Sequence, residues 1–200
     1  MTIKHYHNPS IQGFTVIELL VAMSVVAIVL SVGVPSFQSI ARTSNSAAIS
    51  NEFLKSLAMA RNEAIKRGYP VYICATADPT ASNPVCSSVN STKWEDGWLL
   101  VLDEDDDGDF SDQAENPLVV HEAIRSDYSL NGQAAIKNLI GFEATGFAKQ
   151  AGNIVLCNPQ VANFATDKAF ARVIRVNGSG RSRVFKGDSN AISVSSCTPT

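Results

Sequence analysis

Two hydrophobic rhythms divide the chain. From Phe14 to Val34 the residues are almost continuously apolar, broken only by Thr15, Glu18, Ser24, Ser31 and Gly33. As helix, at about 1.5 Å per residue, a run of about 20 apolar residues is long enough to cross a bilayer. Beyond Pro35, apolar residues recur at helical spacing (Phe37, Ile40, Ile49, Phe53, Leu57, Ala60, Ala64), with Asn51, Glu52, Lys55, Arg61, Asn62 and Lys66 on other faces. Gly68 and Pro70 then stop the pattern. The sequence thus predicts one helix from Phe14 to Arg67, loosened at Gly33 and Pro35, whose second half packs against a sheet.

From Tyr69 onward the rhythm changes to short β-rich runs: Val71 to Ala75, Trp98 to Leu102, Leu118 to Ala123, Leu139 to Phe142, Ile154 to Cys157, Ala171 to Val176 and Arg183 to Lys186. Gly, Pro, Asn and Asp clusters separate them. A long helix followed by antiparallel strands makes an α+β domain. The chain's 200 residues, 45% of them hydrophobic, allow one such domain and at most one membrane segment. No catalytic triad, P-loop or Rossmann glycine pattern is present, so neither an enzyme nor a cofactor is expected.

The four cysteines, Cys74, Cys86, Cys157 and Cys197, all follow the apolar run, show no CxxC spacing, and have only His121 as a histidine beyond the first residues. A zinc site is not expected on these grounds, and no residue is assigned as a metal ligand. An even count outside the cytoplasm reads as two disulfides. Cys74 with Cys86 and Cys157 with Cys197 is the preferred pairing, although the sequence permits three.

Residues Met1 to Gly13 are polar and mildly basic, and the small residue Gly13 precedes the apolar run, whereas a secretory signal is cut after it. Glu18 sits inside that run, where an ionised carboxylate costs about 2.5 to 3.5 kcal/mol at a helix centre. Cleavage after Gly13 would free the amine of Phe14, a positive charge one helical turn away, on the same chain or on a neighbour. The stretch Gly13-Phe14-Thr15-Val16-Ile17-Glu18-Leu19 resembles the class III signal of type IV pilins and type II secretion pseudopilins. That resemblance implies a prepilin peptidase that cuts after Gly13 and methylates Phe14, an assembly role for Glu18, and a helix-loosening Pro35. It also implies the type IV pilin fold, a long helix with a transmembrane first half on an antiparallel head. The expected organisation is a leader at 1–13, a transmembrane half at 14–34, an amphipathic half at 35–67, and a β-rich head with a basic C-terminal loop at 68–200. The chain would sit in the bacterial inner membrane with its head in the periplasm, then join an extracellular pilus fibre with other major and minor pilins.

The head resembles the FimT-like minor pilins, grouped with the H-type pseudopilins, through Trp94-Glu95-Asp96-Gly97-Trp98, the acidic turn after it, and Val176-Asn177-Gly178-Ser179-Gly180-Arg181-Ser182-Arg183. A net charge of -3 gives no global attraction to nucleic acid. A local cluster does: Lys168, Arg172, Arg175, Arg181, Arg183 and Lys186 fall in a stretch with no acidic residue. Gly178, Ser179 and Gly180 permit a tight turn presenting Arg181 and Arg183 on one side, and guanidinium groups grip phosphate in pairs of hydrogen bonds. Gly180-Arg181-Ser182-Arg183 is similar to the GRxR motif of FimT-like pilins. This implies non-specific DNA binding through Arg181 and Arg183, with Gly180 and Lys186 beside them, during natural transformation. The alternatives are a structural minor pilin that primes assembly and a type II secretion pseudopilin.

Asp103-Glu104-Asp105-Asp106-Asp107-Gly108-Asp109 begins like an EF-hand loop, but Ala114 stands at the twelfth position and Glu115 comes one residue late. The expectation here is an acidic turn projecting into solvent, with calcium left open. Trp94, Trp98, Phe142, Phe147, Phe164 and Phe185 are expected in the core, not as stacking platforms for bases.

Overall fold

The computed structural model describes residues 13–87, 93–108, 117–133, 135–189 and 196–197. Of the expected leader only Gly13 falls among them, and the twelfth position of the acidic loop lies outside them. Helix α1 runs from Val16 to Arg67, and the chain divides into one unit ending at Ala41 and another beginning at Arg42.

In the first unit the Thr15 hydroxyl accepts the Glu18 N–H at 3.3 Å, so the helix starts on a capping residue. Gly33 and Pro35 do not interrupt it. The hydroxyls of Ser24, Ser31 and Ser36 donate back to the carbonyls of Val21, Ile28 and Val32, so no serine in the apolar segment leaves its donor unmet. Phe37 and Ile40, expected on the core stripe, are instead 72% and 68% exposed. They belong to the first unit, ahead of the point where the head's core begins.

In the second unit the buried positions of α1 are Ser46, Ile49, Ser50, Phe53, Ser56, Leu57, Ala60 and Ala64, spaced as one helical stripe. Gly68, at φ 77°, ends the helix with its N–H on the Ala64 carbonyl at 2.9 Å. Strands β1 (Val71–Ala75), β2 (Trp98–Leu102), β3 (Val119–His121) and β5 (Leu139–Phe142) form one antiparallel sheet in the order β3-β2-β1-β5. Strands β4 (Ser129–Gly132), β6 (Gly152–Cys157), β7 (Arg172–Val176) and β8 (Ser182–Lys186) form a second in the order β4-β6-β7-β8. Strand β4 is absent from the sequence reading because Ser-Leu-Asn-Gly carries no β-branched residue. Its pairing with β6, and a bond from the Leu130 N–H to the Glu95 carboxylate at 2.8 Å, hold it extended. The short helix α2 (Phe164–Asp167), capped by Asn163, was likewise unforeseen.

Both sheets present one face to the α1 stripe, and their residues merge there into one core. Phe53 meets Trp94 and Trp98 edge-on, at centroid distances of 5.2 and 5.0 Å. Both indole N–H groups find acceptors, Trp94 on the Lys137 carbonyl at 2.7 Å and Trp98 on Ser56 Oγ at 3.0 Å. Each sheet's other face is covered as well. Cys74 and Cys86 are bonded beside Tyr72, Leu99 and Val101, and Cys157 and Cys197 beside Val155, Phe164 and Val173, with Cα separations of 5.4 and 6.0 Å. This double covering explains why β1 is buried at every residue and reads as an apolar run without alternation. Loops of 12 and 40 residues closed this way stabilise by about 3 and about 4 kcal/mol in the chain-entropy account.

Candidate nucleic-acid interface

The basic residues of the C-terminal region sit on the β7–β8 hairpin, and β8 is an edge strand. Arg175 stands opposite Arg183, and Arg172 opposite Lys186. Residues directly opposite share a face of the sheet. Arg175 and Arg183 therefore lie on one face, and Arg172 and Lys186 on the other, alongside Ile174 and Val176 of the main core. Arg181 continues the alternation of Arg183 by one step of two, its carbonyl bonded to the Asn177 N–H at 3.0 Å.

The turn that presents these arginines is seated on the protein. Gly180 has φ 75° and its N–H donates to the Asn177 carbonyl at 2.8 Å. A Cβ on Gly180 would overlap the Gly146 carbonyl oxygen. That same oxygen accepts Arg61 Nε–H from α1 at 2.9 Å, and the Gly178 carbonyl accepts the Ala148 N–H at 3.0 Å. The hairpin is thus clamped to the 143–148 turn, which α1 holds in place.

Arg181 and Arg183 are exposed, and among the described residues neither forms an ion pair. Arg175 is half-buried, donating to Asn153 Oδ1 at 3.2 Å with its guanidinium 5.8 Å over the Phe185 ring. The structure places the other two residues of the expected site apart from this pair. Gly180 is buried under the turn and offers no surface to a ligand; its role is to allow the close approach to Gly146. Lys186 is exposed but on the opposite face from Arg183, about 10 Å further along the strand at about 3.3 Å per residue.

The aromatic residues also divide. Trp94, Trp98, Phe142 and Phe164 are buried as expected and Phe185 is half-buried, but Phe147 is 56% exposed. It sits in the turn beneath the arginine hairpin, where the Glu143 N–H bonds to its carbonyl at 2.9 Å. The sequence signal for this was Gly146 next to it, marking a turn and not a strand.

The acidic turn leaves β2 of the other sheet. Asp103 is fully buried, contrary to the expectation of a turn projecting into solvent as a whole. Burial, followed by the neighbouring Asp105 carboxylate, pushes the Asp103 carboxyl above its ordinary range. Lys149 Nζ lies 2.7 Å from Asp106 Oδ1. Burial would lower the Lys149 pKa, yet hydrogen bonds to Asp106 and Tyr72 outweigh it and leave the ammonium above its usual value.

At the N-terminal end, Phe14 is 85% exposed and Glu18 lies in the first turn of α1, without an ion pair among the described residues. Gly13 precedes the helix with open space around its Cα.

The family model described as Type II transport protein GspH matches residues 50–180. The chain belongs to the GspH family. A second model, the prokaryotic N-terminal methylation motif, matches residues 8–34. The fold is similar to two crystal structures of the type IV minor pilin FimU of Pseudomonas aeruginosa. One is 18% identical, covers 72% of this chain and 90% of that one, and has a TM-score of 0.51; the other is 17% identical, covers 72% and 94%, and scores 0.50. The minor pseudopilin EpsH from the type 2 secretion system of Vibrio cholerae is 9% identical, covers 72% and 99%, and scores 0.49. No curated protein matches by sequence. Family and fold are those of structural pilins, so this GspH-family chain is a minor pilin or pseudopilin, of a type IV pilus or a type II secretion system. The family match ends at Gly180, immediately before the two exposed arginines.

Proposed function

We propose that this GspH-family chain is a minor pilin of a type IV pilus that binds the phosphate backbone of extracellular DNA through Arg181 and Arg183, for uptake in natural transformation. The observation that carries this reading is a pair of exposed guanidinium groups that form no ion pair among the described residues, two residues apart on a hairpin that Gly180, Gly146 and Arg61 hold fixed. A fixed backbone lowers the ordering cost of a weak contact, and arginine matches phosphate with two donors at once. Phe147 lies in the turn on which that hairpin sits, and its exposed ring adds apolar surface there. Prepilin peptidase would cut after Gly13 and methylate Phe14, and Glu18 would pair with an N-terminal amine to set the subunit's register among major and minor pilins. Several copies on one fibre would raise avidity without new contacts.

Duplex DNA titrated against the full chain in detergent, read by fluorescence anisotropy, tests the clamp. The expected dissociation constant is about 10⁻⁴ to 10⁻⁶ M, independent of sequence and falling steeply in strength with salt. Unchanged affinity in an Arg181→Gln/Arg183→Gln variant would refute it. The family description favours a second reading, a secretion pseudopilin whose edge hairpin faces solvent with no ligand. In that case the chain shows no salt-dependent DNA binding, and its deletion blocks protein secretion while transformation continues.

A further inference from the structure

The turn after β2 holds a buried carboxylate that no cation among the described residues pairs. Asp103 is 0% exposed, and its Oδ1 has no hydrogen-bond partner. The Asp103 carboxylate is bonded only within its own turn, by the Gly108 N–H to Oδ2 at 3.3 Å, the Asp106 N–H and the Asp105 side chain, while its own N–H donates to the Pro70 carbonyl at 3.0 Å and fixes it at the end of β2. Among the described residues no Lys, Arg or His pairs with it, because the nearby Lys149 is engaged by Asp106. An ionised group without partners in the interior is strongly unfavourable, so buried charges are normally paired or bound to a metal.

The groups gathered around Asp103 are further carboxylates. One ligand oxygen each from Asp103, Asp105 and Asp107 lie within 4.8 Å of one another. Asp105 and Asp107 are exposed beside the buried Asp103, while Asp106, at φ 55°, pairs with Lys149. Gly108, at φ 76°, stands sixth from Asp103, where the loop has to turn sharply. Hard oxygen donors at the first, third and fifth positions of a turn with glycine at the sixth suit Ca²⁺, which tolerates irregular oxygen shells and takes its remaining ligands from carbonyls or water. Mg²⁺ demands a tighter octahedron and keeps its own water.

We propose that this turn is a calcium site, in which Asp103, Asp105 and Asp107 each give a carboxylate oxygen to one Ca²⁺ and the ion neutralises the buried Asp103. The site is separate from the arginine hairpin, which lies on the other sheet, and stands whether or not the chain binds DNA.

The test uses the full chain in detergent, stripped with EGTA and desalted, then titrated with CaCl₂ or MgCl₂ by calorimetry and by thermal unfolding. One Ca²⁺ per chain is expected, with a dissociation constant of about 10⁻⁴ to 10⁻³ M as in extracellular calcium modules. The melting temperature should rise by a few degrees at about 10 mM CaCl₂ and barely move with MgCl₂. Asp105→Asn and Asp107→Asn alter exposed side chains, so these variants keep the fold, and each should weaken Ca²⁺ about tenfold through the lost ligand charge. Asp103→Asn should abolish the calcium-induced shift. Absence of heat and of any melting shift up to about 10 mM CaCl₂ overturns the proposal, as does an equal response to Mg²⁺. Calcium affinity unaltered in the Asp105→Asn and Asp107→Asn variants overturns it too.

Discussion

The molecule carries two concentrations of charge, the arginine hairpin at the edge of one sheet and the acidic turn leaving the other, and they are built in opposite ways. The hairpin buries its backbone and exposes its charges: Gly180 is packed against Gly146 while Arg181 and Arg183 stand in solvent. The acidic turn exposes most of its side chains and buries its first carboxylate, Asp103. A charge held outward on a fixed backbone suits a large, solvated, polyanionic partner that many weak contacts can hold. A charge turned inward needs a counter-charge small enough to follow it. Burial of the charged group, more than the number of charges in the run, separates the two kinds of ligand.

The comparison breaks first at the seat of the hairpin. Gly180→Ala places a Cβ on the Gly146 carbonyl and an L side chain at φ 75°. Left-handed backbone costs about 1 to 2 kcal/mol, and the clash adds about 1 to 3 kcal/mol. A loss of about 2 to 5 kcal/mol in denaturant unfolding is expected, with DNA affinity falling as well because the arginines lose their platform. A variant of unchanged stability would show that the hairpin is not seated as described. Next in size is the Arg181→Gln/Arg183→Gln pair, expected to weaken DNA about tenfold and to flatten the logarithmic salt slope by about 2, since each lost phosphate contact removes about 0.9. Its melting temperature should not move, because neither side chain is buried.

Much of this arrangement was legible in the sequence. The stripe Ile49, Phe53, Leu57, Ala60, Ala64 is the buried face of α1, since helical period and burial coincide wherever a helix has a core to face. Phe37 and Ile40 continue the same period but belong to the other unit, and period alone does not say where a core ends. Strand β4 escaped notice because long-range pairing, and not its own residues, makes it extended. In the candidate site Arg181 and Arg183 could be placed by their alternation. The same alternation puts Lys186, three residues beyond Arg183, on the opposite face, and its pairing with Arg172 agrees. Asp103 was hidden because a run of five consecutive acidic residues reads as solvated, and only the bond of its N–H to Pro70 shows that the first of them is drawn under the sheet.

Smaller effects sharpen the contrast. In EGTA, Asp103→Asn replaces a buried carboxylate that no cation among the described residues pairs by a neutral amide of the same shape, and should stabilise the chain by about 1 kcal/mol, the scale of a buried unsatisfied polar group. Destabilisation in EGTA would mean that the carboxylate already has a counter-charge within the protein, and the inward-facing half of the comparison would fail.

The smallest change is expected at Lys186. It is as exposed as Arg183 and near it in sequence, so a model in which only local charge density matters predicts that Lys186→Gln and Arg183→Gln weaken DNA equally. The register predicts otherwise. Arg183 shares its face with Arg175 and the alternation of Arg181, whereas Lys186 emerges on the face of Arg172, about 10 Å along the strand. At physiological salt the screening length is about 8 Å, so Lys186 should contribute only a residual long-range term, less than about twofold in affinity. Measured side by side at the same salt, a Lys186→Gln loss as large as that of Arg183→Gln would mean that DNA wraps around the edge of β8 and contacts both faces. A difference of several-fold would place the phosphate backbone on the single face that Arg181 and Arg183 share.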